Sequence, residues 1–181
     1  SDQVGERVAE VRRQLATKVI RQYCIAKGVM VALNPIPVAD LLAAAGLDAA
    51  MVVQLSRVYG LPLTRNESGR LVVTICAQLA ALMGAVWGMH LVASALKGLS
   101  GGLSVVVTAA AQGALAWYAT VLIGRAAESY LIKGKSWGEA GAKRAVADIV
   151  AGLDRDSILR EARAEILKRL KAGKSSSTPS T

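Results

Sequence analysis

The sequence predicts an all-α protein, a bundle of about six helices with a central hydrophobic hairpin rich in alanine and glycine. Apolar residues recur at intervals of three and four, which is the period of a helix, and no segment alternates as a strand does. Residues 71–96 and 98–124 carry no Asp, Glu, Lys or Arg, and only Lys97 separates them. Hydrophobic residues make up 53% of the chain but aromatic residues only 4%, so small and aliphatic side chains must form the core.

The first helix is predicted from Val4 to about Leu33. Its apolar positions are Val8, Val11, Leu15, Val19, Ile20 and Tyr23, and its other face carries Arg12, Arg13, Lys18 and Arg21. The stretch "NPIPVAD" should end it near Asn34, because Pro35 and Pro37 push the residues before them towards extended conformations. We therefore expect a rigid turn, with Asp40 near the start of the second helix.

The second helix is predicted from about Val38 to Tyr59, where Gly60 and Pro62 interrupt the pattern. A third follows at once, because Thr64 and Glu67 have the spacing of a capping box, in which each side chain bonds the backbone N–H of the other residue.

The same spacing recurs at Ser136 and Glu139, which predicts the start of a fifth helix after Gly134 ends the fourth. A last, charged helix should begin between Asp154 and Asp156. We expect residues 1–172 to form a single helical domain and residues 173–181 to be a disordered tail.

Residues 134–136 read Gly-Lys-Ser, the end of a phosphate-binding loop, and residues 173–175 repeat it. A working loop needs a glycine five residues before the second glycine, after a buried strand. Ser129 and Lys168 occupy those positions, and the residues before Gly134 have a helical pattern. The sequence therefore predicts no nucleotide site and assigns the first motif to a turn.

No other motif predicts catalysis, a cofactor or a metal. With one histidine, His90, and two separate cysteines, neither a catalytic triad nor a zinc site can be assembled. Asp40 and Asp48 fall on one helical face, which leaves open a cation site, or a helix cap at Asp40 and a salt bridge at Asp48. The net charge is +9, but the basic residues lie at the two ends without interleaved aromatics, so we expect no nucleic acid partner.

The two charge-free runs allow two interpretations. In the first, residues 71–124 form two membrane spans, since about 20 apolar residues cross a bilayer. Basic residues flank the open ends, which would place both termini on the cytoplasmic side, near anionic lipids. Four small residues would permit close helix packing in this hairpin: Ala80, Gly84, Gly88 and Gly113. In the second, a soluble bundle buries the hairpin among amphipathic helices.

One stretch, "ALNPIPVADLLAAAGLDAAMVVQLSRVYGLPL", supplies a family pattern at Asn34, Pro35, Pro37, Asp40, Asp48, Tyr59 and Gly60. From about Arg21 to Lys171 the chain resembles the YcjF-type bacterial domain of unknown function, found at the C-terminus of Era-like GTPases, notably in cyanobacteria. The resemblance implies a GTPase domain as partner, in cis or in trans, a location at the bacterial inner or thylakoid membrane, and no catalytic residues.

These observations together predict a non-enzymatic, membrane-anchoring or membrane-embedded helical module. It would act as the tether or output domain of a GTPase, or as a small subunit beside other membrane-protein subunits. The alternative is a soluble helical protein-interaction domain.

Overall fold

The structure is a computed structural model that describes residues 2–33, 37–100 and 105–176, with side chains described over 2–33, 44–84 and 109–176. Six helices follow one another: α1 Asp2–Leu33, α2 Pro37–Val58, α3 Arg65–Ser100, α4 Val105–Ile132, α5 Gly141–Gly152 and α6 Arg155–Ser175. The described residues contain no strand, so the prediction of an all-α fold is confirmed.

The helix α4 lies at the centre of the bundle. It packs against all five other helices, most extensively against α1 and α6, while α3 packs against α2 and α5 as well. Among the described side chains the core is largely aliphatic, and it also includes the buried aromatic residues Trp117 and Tyr118 of α4. Burial of these side chains stabilises the bundle at about 25 cal/mol per Å² of apolar surface.

Small residues allow α1 and α4 to approach closely. A Cβ atom on Gly113 of α4 would lie 2.4 Å from the carbonyl oxygen of Gly28 in α1, and a Cβ on Gly124 would meet Ile20 at 2.8 Å. Gly113 of the predicted hairpin ladder thus packs against α1. The other predicted positions show no such packing where they are described: Ala80 is exposed, and a Cβ on Gly84 would meet nothing within 4 Å. The surroundings of Gly88 lie outside the described residues.

The turn from α2 to α3 follows its sequence signals. Gly60 has a φ of +68°, and its N–H donates to the carbonyl of Arg57 (3.1 Å) while the N–H of Leu61 donates to that of Ser56 (2.9 Å), the two bonds of a Schellman motif. The capping box at the start of α3 is confirmed. Thr64 N–H donates to Glu67 Oε2 (2.8 Å), and Glu67 N–H donates to Thr64 Oγ1 (3.2 Å).

The second predicted capping box is wrong. Gly134 does end α4, with a φ of +69°. However, α5 begins only at Gly141, and its N-cap residue, Ala140, makes no side-chain capping bond. The Ser136 hydroxyl instead accepts the N–H of Gly138 (3.1 Å). Two further left-handed glycines, Gly138 and Gly141, lengthen the turn past the position at which Ser136 would cap a helix.

The remaining boundaries lie close to the predicted ones. Asp154 caps α6 by accepting the N–H of Ser157 at 3.1 Å. The helix continues to Ser175, so the first residues of the predicted tail are helical. α1 ends at Leu33 and α2 begins at Pro37, which places Asp40 in the first turn of α2; residues 34–36, the centre of the predicted proline turn, and 177–181 lie outside the described residues.

No helix in the described part of the chain combines the length and the apolar character needed to cross a bilayer. The side chain of His90 also lies outside the described residues.

Candidate interaction surface

The first four turns of α1 are exposed at the edge of the bundle, where the Arg12 guanidinium reaches the turn after α2 and lies 3.6 Å from the position of a Cβ on Gly60. Every residue from Asp2 to Leu15 is exposed, and the first buried position is Ala16. Within this segment four large apolar side chains are exposed, which we call the N-terminal stripe: Val4 (66%), Val8 (44%), Val11 (54%) and Leu15 (45%). Their spacing of four, three and four residues is that of the a and d positions of a coiled coil.

The N-terminal stripe does not continue the face that α1 buries in the bundle. With 3.6 residues per turn, its four side chains fall within about 60° of one another. The buried positions Ala16, Ile20 and Cys24 lie about 150° away around the helix. Within the described ranges, the helices that bury α1 pack on its opposite side and leave the stripe exposed.

Basic residues border the N-terminal stripe on both sides. Arg7 and Lys18 lie along one edge and Arg12 along the other, and all three are exposed. We call these three the basic flanks. The carboxylates of the segment, on Asp2, Glu6 and Glu10, lie on the far side of the helix, where Glu10 accepts a bond from Gln14 at 3.0 Å.

A buried ion pair fixes α1 to α2 at the other end of α1. The ammonium group of Lys27 donates to both oxygens of Asp48, at 2.9 and 2.8 Å, and both side chains are nearly inaccessible. Burial raises the pKa of the Asp48 carboxyl, and Lys27 opposes that shift. Of the alternatives for Asp48, the structure contains the salt bridge.

A second polar network joins α2, α4 and α1. The Tyr59 hydroxyl donates to Glu128 Oε1 (2.6 Å), and Arg125 donates to Glu128 Oε2 (2.7 Å) and to the hydroxyl of Thr17 (3.1 Å). Burial, together with the bond to Glu128, raises the pKa of Tyr59 above its usual value. Each polar group has a partner, so the network holds helices together and presents no free acid or base.

A pocket of about 290 Å³ opens between the start of α3 and the turn after α4. Arg70, Tyr130, Lys135 and Trp137 are among its lining residues, and the two aromatic rings lie 5.0 Å apart. The lysine of the Gly-Lys-Ser motif therefore lies beside a pocket.

The backbone of that motif is nevertheless committed to α4. The N–H of Gly134 donates to the carbonyl of Leu131 (2.9 Å), and the N–H of Ser136 donates to that of Tyr130 (3.2 Å). A phosphate loop needs such N–H groups free at the start of a helix, whereas these bond the carbonyl end of one. The geometry agrees with the interpretation of this motif as a turn.

Residues 1–155 match the model of a protein family, a domain of unknown function designated DUF697. The chain belongs to the DUF697 family. No curated protein and no solved structure matches it. The family resemblance expected from the sequence is thereby confirmed, and the match includes α1 with the N-terminal stripe.

The pattern residues of this DUF697 chain have structural positions wherever they are described. Asp48 and Tyr59 bind other helices, Gly60 ends α2, and Pro37 is the first residue of α2. Asn34, Pro35 and the side chain of Asp40 lie outside the described residues. No group of three or more His, Cys, Asp or Glu in the described ranges is placed to hold a metal ion.

The sequence did not reveal which face of α1 is free. Val8, Val11 and Leu15 have the helical period of a core face, yet they are exposed. The face that α1 buries contains Ile20, as predicted, but otherwise small or polar residues, among them Ala16, Cys24 and Lys27. The sequence feature that could have identified the buried face is that both it and α4 are rich in small residues, which allow two helices to pack closely.

Proposed function

We propose that this DUF697 chain is a non-enzymatic helical interaction module, and that it serves as the tether or output domain of a GTPase present in cis or in trans. The exposed N-terminal stripe is the observation that carries the proposal. Exposure of four aliphatic side chains to water is unfavourable by about 25 cal/mol per Å² of apolar surface. A second helix that covers them in coiled-coil spacing removes this cost. The sequence resemblance supports the GTPase association.

Cross-linking in cells tests this proposal. A photoreactive amino acid at position 8, on the stripe, should cross-link to a GTP-binding domain, in the same polypeptide or in a second protein, identified by mass spectrometry. The same group at position 6, on the far side of α1, should not. Equal cross-linking from both positions, or a protein adduct without any GTP-binding domain, would contradict the proposed role.

Membrane anchoring is a second candidate, which the charge-free runs 71–96 and 98–124 favour. In addition, α3 exposes apolar residues within the first run, including Val73 (68%) and Leu82 (39%). In this case the hairpin would lie in the inner or thylakoid membrane with both termini on the cytoplasmic side, next to lipids or other membrane subunits.

Membrane fractionation separates the two candidates. If the hairpin anchors the chain, alkaline carbonate should leave it in the membrane pellet and detergent should release it. If the N-terminal stripe alone localises the chain, through a partner, carbonate should release it.

A further inference from the structure

We infer that the occupant of the N-terminal stripe is an amphipathic helix of another protein whose apolar seam is bordered by carboxylates. The inference rests on the proposed function, because it names the kind of partner that the same surface binds. Its basis is the arrangement of charge around the stripe.

The seam itself fits a helix. Val4, Val8, Val11 and Leu15 form four successive a and d layers, and each is exposed over at least two fifths of its surface. A partner helix would place its own knobs between them. A membrane surface is less suited to this seam, since interfacial helices use Trp, Phe and Leu for their apolar face, whereas three of the four stripe residues are Val and none is aromatic.

The flanks select the partner's charge. In a coiled coil, the positions beside the seam face the corresponding positions of the partner and set partner choice. Here those positions include Arg7 (g) and Arg12 (e), while Lys18, three residues after Leu15, takes the next d position at the end of the seam. None of these three side chains forms an ion pair within the described residues. Carboxylates in the partner would pair with them, whereas basic residues would be repelled.

The same charges oppose pairing with a second, parallel copy of this chain. In a parallel pair, Arg7 of one helix faces Arg12 of the other, because position g contacts position e of the next heptad. The carboxylates of α1 lie on the far side and cannot compensate. A different chain with acidic flanks removes this conflict.

Designed peptides of three heptads test the inference on the full chain. Both have Leu and Val in the seam; one has Glu and the other Lys at the e and g positions. We expect the Glu peptide to bind at least about tenfold more tightly in low salt, since several exposed ion pairs replace like-charge contacts. The variant R7E/R12E/K18E should reverse the preference. Fluorescence anisotropy of labelled peptides gives the affinities.

Matched variants locate the binding surface. Val8→Asp should abolish peptide binding, whereas Ala9→Asp, on the other side of the same exposed turn, should leave it unchanged. Both positions are exposed, so circular dichroism should report the same helix content for both.

Other outcomes overturn the inference in distinguishable ways. Equal binding of both peptides, lost in Val8→Asp, would reject acidic flanks but retain the stripe as a docking surface. No peptide binding, with a concentration-dependent dimer that Val8→Asp dissociates, would make a second copy the occupant. No peptide binding, with Val8→Asp reducing adsorption to vesicles of phosphatidylglycerol, would make it lipid. If the chain binds no peptide, no second copy of itself and no vesicle, the stripe is not a docking surface. The proposed function would then lack its main support.

Discussion

The carbonyl oxygen of Gly28 occupies the space next to Gly113 in which a side chain would begin. A Cβ atom at position 113 would be 2.4 Å from that oxygen and 2.9 Å from Ile166 Cδ1. One of these neighbours is backbone and cannot rotate away. The crossing of α1 and α4, which fixes the bundle and the direction in which α1 extends from it, therefore depends on having no side chain at this position.

Gly113→Ala should destabilise the protein by about 1–3 kcal/mol, the usual cost of overpacking a core. Gly84→Ala is the matched control, because Gly84 is also within a helix but a Cβ there would contact nothing within 4 Å. This control should stabilise the protein by about 0.5–1 kcal/mol, since alanine restricts the unfolded chain more. Urea unfolding measures both; equal effects would show that the helices are not this close.

Removing one partner of the buried ion pair should be costly. Asp48→Ala leaves the Lys27 ammonium without its partner in a dry environment, and we expect a loss of about 3–5 kcal/mol in the free energy of unfolding. The control is Asp148→Ala, because the Arg144–Asp148 pair is 72% and 66% exposed. That change should cost less than about 1 kcal/mol.

The double variant Lys27→Met/Asp48→Leu tests whether the stability lost in Asp48→Ala comes from the unpaired buried charge or from the lost contact between α1 and α2. Well-packed apolar residues of similar size can replace a buried pair at little cost, so it should recover most of the stability that Asp48→Ala loses. A double variant as unstable as the single one would show that the pair contributes more than mutual neutralisation.

Local signals in the sequence predicted much of the fold. Pro37, Gly60 and the capping box at Thr64 lie at helix boundaries, and they act through short-range sterics and hydrogen bonds that can be read from the sequence. Ser136 and Glu139 show the limit. Their spacing equals that of a capping box, but Gly138 and Gly141 adopt left-handed φ values, and the chain turns before a helix can start.

The candidate site was harder to predict because exposure depends on tertiary packing. Nothing within α1 indicates that Ala16 and Cys24 are buried while Val8 and Val11 are free. That outcome depends on α4, because its small residues allow the face of α1 that contains Ala16 and Cys24 to pack closely against it. The N-terminal stripe is then left exposed.

The two apparent capping boxes should respond differently to the same change. Thr64→Ala removes a side chain that caps α3, and it should cost about 1 kcal/mol of stability. Ser136→Ala removes only a bond within a turn and should cost less than about 0.5 kcal/mol. Thermal unfolding of both variants tests this, and a larger loss for Ser136→Ala would reverse the assignment.

We expect no binding of GTP at micromolar concentrations by this chain. The N–H groups of Gly134 and Ser136 bond the end of α4, so they cannot hold a phosphate. Anisotropy of a fluorescent GTP analogue with Mg²⁺ should not change on titration, and Lys135→Ala should behave identically. Saturable binding that Lys135→Ala removes would identify the pocket beside Lys135 as a nucleotide site.

The two cysteines should differ in reactivity. Cys24 is buried and Cys76 is exposed, and burial is the main reason that the pKa of the Cys24 thiol rises to about 12. Desolvation also raises the pKa of the Cys76 thiol, so at pH 8 iodoacetamide should modify Cys76 slowly but in the folded protein, and Cys24 only when the protein unfolds, which mass spectrometry of timed samples can follow. Rapid modification of Cys24 in the folded protein would show that α1 separates from α4 under native conditions.

The same thiol makes stability depend on alkaline pH. In the unfolded chain it ionises near its ordinary value of 9.0, whereas in the folded protein it keeps its proton up to about 12. Between these two pH values, unfolding therefore releases a proton. The contribution of Cys24 to the free energy of unfolding is complete below pH 9 and is lost as pH rises towards 12, by at most about 1.4 kcal/mol per pH unit. Other groups titrate here too, and Cys24→Ala isolates this contribution: its stability should fall less steeply between pH 9 and 11 than that of the original chain. Parallel pH profiles for the two proteins would mean that the Cys24 thiol ionises equally in both states.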